Sequence, residues 1–396
     1  MTVNHKIRWI MSRSRYKENS LLAVSLWLIS ILYGNIVRIR HALYTWGFIK
    51  KKRLPCIVIS IGNITAGGTG KTPMTIYVAR LLKKLGYTVA VISRGYKGKA
   101  EHTGGIVSCK DALLMNVDDA GDEPIMMAIQ LKNIPVLVGK RRFEIGMLAH
   151  QKFDSNLVVL DDAFQHLKLK RDIDIVLLDS ARPLGNLHML PRGVLREPVS
   201  GLKRGDAYIK TRDDQKTVSS SSRLKDLSDF ILKEKIGNKP IFKTFHKPYY
   251  FKVEKNTCFP IEKFTQEILS NDFKYLKHRR VLLFSGIAGN HYFRKTVKDI
   301  PCNIFEFLEF PDHHRYTNDE LEHIALKAQQ LKVDYIITTE KDYVRMYQHL
   351  PWPVDLVVVG VKISFEDEKA FQTFIKNKLI NMDKNKYDYT VLKKDV

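Results

Sequence analysis

Between Asn19 and Val37 no residue is charged, and from Leu21 to Val37 only Ser25, Ser30, Gly34 and Asn35 interrupt an apolar run. As a helix this run is about 26 Å long at ~1.5 Å per residue, marginal against a hydrocarbon core of roughly 30 Å. It predicts a helix that crosses a membrane or lies in its interface; the competing reading is a buried core helix. Short apolar, β-branched runs follow at Cys56–Ile61, Leu157–Leu160, Asp174–Asp179, Asp206–Lys210, Val281–Ser285, Tyr335–Thr339 and Asp355–Gly360. Helical or loop patterns separate them, the clearest from Pro73 to Leu85. Such alternation predicts an α/β fold, a parallel sheet flanked by helices, with ligands at the carboxyl ends of its strands. The polar stretch Asp213–Ser222 reads as a connector. The expected division is therefore 1–53, an N-terminal membrane-associated helix region; 54–212, a phosphate-binding core; and 213–396, a linker and smaller C-terminal α/β lobe.

Charge changes this picture. The formal net charge is +23, which attracts polyanions such as acidic lipid, phosphorylated substrates or nucleic acid. Residues 1–53 hold eleven Lys and Arg against the single acid Glu18, on both flanks of the apolar run. That placement suits an anionic membrane surface. The symmetric flanks give no orientation, and the bulky residues after the run supply no signal-peptide cleavage region. Cys56, Cys109, Cys258 and Cys302 lie far apart without a C-x-x-C pair, so neither a zinc site nor a disulfide framework is expected, and a reducing compartment is the natural reading.

The strongest chemical signal lies between the Cys56–Ile61 run and the Pro73–Leu85 helix. Thr65-Ala66-Gly67-Gly68-Thr69-Gly70-Lys71-Thr72 is a phosphate-binding P-loop in which backbone N–H groups surround phosphate oxygens, Lys71 adds charge and the Thr72 hydroxyl ligates Mg²⁺. Thr65 stands where the motif has its first glycine. Leu157–Leu160 ends in Asp161-Asp162, the pattern of acids that hold the metal of an NTPase. ATP and Mg²⁺ are the expected cofactors.

Read in order, Ser60-Ile61-Gly62-Asn63, the P-loop, Ser93-Arg94-Gly95-Tyr96, Gly121-Asp122-Glu123-Pro124 and Asp161-Asp162-Ala163-Phe164-Gln165-His166 resemble the tetraacyldisaccharide 4′-kinase family. Pro191–Pro198, Phe284–Ala288, Phe310-Pro311-Asp312-His313-His314 and Thr338-Thr339-Glu340-Lys341-Asp342 extend the resemblance over nearly the whole chain. It implies transfer of the ATP γ-phosphoryl group to the 4′ hydroxyl of a tetraacylated disaccharide 1-phosphate, giving lipid IVA, at the cytoplasmic face of the inner membrane. It also implies catalysis by Asp122 with His313 and Lys71. Thr72, Asp161, Asp162 and Glu197 are then the metal candidates, and Asn63, Arg94, Arg142, Gln165, His166 and Arg196 the substrate contacts. The expected partners are the lipid A precursor and the anionic membrane, with no nucleic acid and no protein. The alternative, a membrane-associated deviant P-loop ATPase, reads K-G-G-x-G-K-T, where this chain has Ala66 in place of the first lysine. A GTPase would need N-K-x-D, and Glu340-Lys341-Asp342 has the wrong spacing.

Overall fold

The computed structural model describes residues 21–110, 112–212, 222–255, 274–346 and 352–391. In chain order, α1 (Leu21–Thr45) precedes β1 (Ile57–Asn63), α2 (Lys71–Lys84), β2 (Val89–Ser93), α3 (Ala100–Thr103), β3 (Gly105–Cys109), β4 (Ala112–Leu113), α4 (Val117–Ala120), α5 (Asp122–Gln130), β5 (Val136–Val138), α6 (Arg142–Phe153), β6 (Leu157–Asp161), β7 (Ile173–Asp179) and β8 (Ala207–Thr211). The remainder is α7 (Ser222–Ile236), β9 (Ile241–Val253), β10 (Arg280–Ser285), α8 (Asn290–Lys298), β11 (Asn303–Glu309), α9 (Asn318–Gln330), β12 (Tyr335–Thr339), α10 (Glu340–Met346), β13 (Asp355–Phe365) and α11 (Glu368–Val391). The expected connector lies outside the described residues except for Ser222, which opens α7.

One sheet of 13 strands runs through the molecule in the order β11-β10-β12-β13-β9-β8-β7-β1-β6-β2-β5-β3-β4. β1 lies between β6 and β7 and pairs parallel with both, Ile61 opposite Asp161 and Ile175. The P-loop and the paired aspartates therefore leave the sheet side by side. The sheet is mixed rather than parallel throughout, because β3 runs antiparallel to β4 and β5, and β9 antiparallel to β13.

β1 is buried along its whole length, which explains its unbroken apolar sequence: with helices on both faces, neither set of alternating side chains meets water. Ile57, Ile59 and Ile61 enter one core cluster with α2 and α5, and Val58 enters the opposite one with α6. The strands β10, β12 and β13 divide likewise between two further clusters. A boundary near residue 212 separates strands but not cores. From α11, Phe371, Ile375 and Leu379 pack in the same cluster as Ile59, Met74 and Leu82 of the first half.

Candidate active site

The P-loop emerges from β1 and closes on α2. Gly70, at φ 81°, caps the helix, and a Cβ there would meet His246 Nε2 at 2.9 Å, so both backbone and space call for glycine. No acidic residue occupies the first turn of α2, leaving its N–H groups for an anion. Thr65, the departure from the motif, is buried and bridged to Leu195. Ala66 donates its N–H to Val194 O at 2.6 Å, and Arg196 donates to Ile64 O at 2.9 Å. The first part of the loop is thus held extended by the chain from Val194 to Arg196, a job that does not need glycine. Asn63 Nδ2 donates to Thr69 Oγ1 at 3.0 Å, which fixes the loop from within and occupies the Asn63 amide.

At the end of β6 the Asp161 carboxylate accepts from Thr75 Oγ1 at 3.1 Å and Ser93 Oγ at 3.3 Å. Burial, with Glu123 and Asp162 nearby, pushes it up to about 7. Burial also raises Asp162, but Lys71 and Arg196 outweigh it and hold that carboxyl below its usual value. Lys71 Nζ lies 3.7 Å from Asp162 Oδ1, and Arg196 Nη1 sits 2.8 and 2.9 Å from the two Asp162 oxygens. Thr72, Asp161 and Asp162 line one cleft and offer hard oxygen donors, a set that fits Mg²⁺ once Lys71 and Arg196 yield Asp162. Among the described residues no group of three or more His, Cys, Asp or Glu forms a metal site. A cation held by these residues would need phosphate or water oxygens to complete its shell, as is common for Mg²⁺.

Glu197 is differently placed. It is fully buried, Oε1 accepting from Gln165 Nε2 at 2.7 Å, and Oε2 from Arg204 at 2.7 Å and from His41 of α1 at 3.3 Å. Burial and the Arg204 and Arg40 charges lower His41 to about 4, so the imidazole meets Glu197 neutral. To reach a metal, Glu197 would have to exchange these bonds.

Asp122 opens α5, where Gly121, at φ 87°, turns the chain against the Tyr96 carbonyl. The structure brings His313 to it from 191 residues away, Nδ1 lying 3.0 Å from Asp122 Oδ2. His313 itself has left-handed backbone, φ 59°. Two cations to which the sequence assigns no role join them: Lys341 Nζ is 3.6 Å from Asp122, 3.0 Å from Glu123 and 3.4 Å from His313 Nε2, and Arg345 donates from Nε and Nη2 to Asp122 Oδ2 at 3.1 and 2.5 Å. Burial alone would raise the Asp122 carboxyl, but the His313 hydrogen bond and the Lys341 and Arg345 charges hold it well below the carboxylate range. His313 thus presents Nε2 to Lys341, and Nδ1 to Asp122 and to Arg345 Nη2 at 3.4 Å.

A cleft of about 1280 Å³ takes in the P-loop, Arg94, Asp161, Asp162, Gln165, His166, Arg196 and His313. Arg142 also reaches it but is buried, its guanidinium donating to Gly139 O at 2.6 Å and Asp161 O at 3.1 Å, so it braces the metal strand. Arg94 is half exposed and paired with Glu101 at 2.7 Å. His166 is lowered to about 4 by burial and neighbouring arginines.

Helix α1 borders the same cleft through Tyr33 and Arg40. Tyr33 OH donates to Arg196 O at 2.8 Å and Arg40 to Gln165 O at 3.2 Å. Its buried positions are Ala23, Leu26, Ser30 and Gly34, one stripe at helical spacing, so Ser30 and Gly34 face inward while Ser25 and Asn35 are exposed. Leu21, Val24, Leu28, Ile29, Leu32, Ile36 and Ile39 are exposed. A buried core helix does not describe α1.

A family model for tetraacyldisaccharide-1-P 4′-kinase matches residues 22–380. The chain belongs to the tetraacyldisaccharide 4′-kinase family. A tetraacyldisaccharide 4′-kinase of Desulfatibacillum aliphaticivorans is 37% identical over 96% of this chain and 98% of its own, and one of Syntrophus aciditrophicus 38% identical over 91% and 94%. A solved structure of the Aquifex aeolicus kinase in complex with ATP superposes with TM-score 0.70 at 32% identity, covering 90% of this chain and 99% of that one. In this 4′-kinase family member the P-loop and His313, the partner of buried Asp122, share one cleft built from both halves of the sheet.

Proposed function

We propose that this chain is an ATP-dependent kinase acting on the 4′ hydroxyl of tetraacyldisaccharide 1-phosphate, with Asp122 as the base. The observation that carries the reading is that Asp122 and His313, drawn from opposite halves of the sequence, meet at 3.0 Å while His313 lines the same cleft as the P-loop. The oxygen of the 4′ hydroxyl forms a bond to the γ-phosphorus, the bond from that phosphorus to the bridging oxygen of ADP breaks, and the hydroxyl proton passes to Asp122. A carboxylate held so acidic is a weak base, so the proton moves late, as the attacking oxygen acquires positive character. Lys71, released from Asp162, would then stabilise charge on the transferring group. Thr72, Asp161 and Asp162 would hold Mg²⁺, which supplies charge neutralisation at the phosphates. Arg94, Arg196 and His166 face the same cleft as anion contacts. The exposed apolar side of α1, flanked by basic residues, supports seating on the anionic cytoplasmic face of the inner membrane, where a lipid acceptor resides.

Labelled ATP and the disaccharide 1-phosphate in detergent micelles test this. Label should enter the lipid, and Lys71→Ala should slow transfer by ~10² to 10³ without unfolding the protein. Label confined to inorganic phosphate would instead mark an ATPase.

A further inference from the structure

Of the Thr338–Asp342 segment only Lys341 has entered the site so far. The segment ends β12 and opens α10, and three residues beyond Asp342 stands Arg345, whose side chain is only 5% exposed. Nη1 donates to Asp342 Oδ1 at 3.0 Å and to Gly286 O at 2.9 Å, while Nε and Nη2 both point at Asp122. Asp342 is fixed in turn, accepting from Thr339 Oγ1 at 2.6 Å, Tyr316 OH at 3.1 Å and Gly286 N at 3.1 Å. Every ion pair or hydrogen bond to the Asp122 carboxylate among the described residues ends on Oδ2.

We propose that Arg345 is a positioning residue for phosphoryl transfer: braced on Asp342, it clamps Asp122 by Oδ2, so that Oδ1 is the oxygen left to receive the acceptor's proton. The assignment rests on Asp122 being the base. Two guanidinium N–H groups converging on one carboxylate oxygen hold that oxygen in place from a rigid fork, which a single ammonium cannot do. The groups facing Asp122 are His313 from the loop after β11, Lys341 and Arg345 from α10, and Glu123 beside it. Asp312 lies 4.0 Å from His313, and Asp342 stands behind Arg345. Removing Arg345 therefore leaves His313 and Lys341 to hold the carboxylate ionised, with less positive charge and no fork.

The test uses the full chain and detergent-dispersed acceptor, with Arg345→Met and Arg345→Lys each alone and combined with Asp122→Ala. Arg345→Met should lower kcat on the order of 10- to 100-fold, the scale of a misplaced reacting group, with KM for ATP unchanged and the acid limb of the rate profile moved to higher pH. Arg345→Lys should recover part of kcat and keep the acid limb low. In the Asp122→Ala background, Arg345→Met should cost nothing further. Losses that multiply with Asp122→Ala, or a lower kcat on an unmoved acid limb, would reduce Arg345 to a structural ion pair. Full activity in Asp122→Ala alone would overturn the reading of the base itself. Should Arg345→Met not fold, Arg345→Gln carries the same cycle.

Discussion

At residue scale, the Asp122–His313 contact allows a sharp expectation. If the imidazole works only through the carboxylate, Asp122→Ala and His313→Ala should each lower kcat by ~10² or more, with the double variant scarcely worse than the weaker single one. Single-turnover rates of the three proteins decide it, and strict multiplicativity of the losses would separate the two roles. The wild-type acid limb should lie below the ordinary carboxylate range, since His313, Lys341 and Arg345 oppose protonation of Asp122. The P-loop and the paired aspartates were legible because glycine spacing and strand-end acids are local signals. Asp122 and His313 were legible only as family motifs, since nothing local distinguishes a cap aspartate or a loop histidine. Lys341 stands in a motif that assigns it no role, and Arg345 carries no local signal, because a helical arginine looks like solvated surface until packing buries it. The Glu197 carboxylate illustrates the converse. Its motif pointed toward the metal, but burial tied it to Gln165, Arg204 and His41.

At the scale of elements, α1 has one face on the catalytic half and one face bare. Leu28 and Leu32 are both more than half exposed and one turn apart. Leu28→Asp with Leu32→Asp should abolish vesicle co-sedimentation, each aspartate costing about 3 kcal/mol if buried in hydrocarbon. Turnover on micellar acceptor should persist, because Tyr33, Arg40 and His41 are untouched. Retained vesicle binding would assign membrane contact elsewhere. β1, β6, β7, β8, β10, β12 and β13 were readable as apolar runs, several to within a residue, whereas β2 to β5, β9 and β11 were not. In β9, Lys243, His246, Lys247, Pro248 and Lys252 break the pattern, since this strand joins the two halves of the sheet and changes pairing sense along its length. An amphipathic period has no single value for a strand with two environments.

At the scale of the molecule, the halves meet through a buried polar junction. Glu340 of α10 accepts from Gln130 Nε2 of α5 at 2.7 Å and from Tyr249 OH of β9 at 2.6 Å. Burial pushes its carboxyl up to about 7 despite those bonds. A carboxyl that holds its proton more tightly when folded than unfolded costs nothing below its unfolded value; the cost grows as pH rises toward 7 and is complete above it. Glu340→Gln removes that cost, so the melting temperature of the variant should rise relative to wild type from pH 5 to pH 8, by on the order of 2 to 3 kcal/mol of relative stability. A difference independent of pH would place the charge cost elsewhere.

The last helix has a consequence for how the protein is made. Phe371, Ile375 and Leu379 fill the core beneath α2, and Tyr77 OH donates to Glu368 Oε1 at 2.8 Å. Chains are synthesised from the N-terminus and domains tend to fold as they emerge. Here the half bearing the P-loop is made before α11, whose Phe371, Ile375 and Leu379 complete its core. The packing beneath the nucleotide grip is therefore finished only after the lobe that brings His313 has been made.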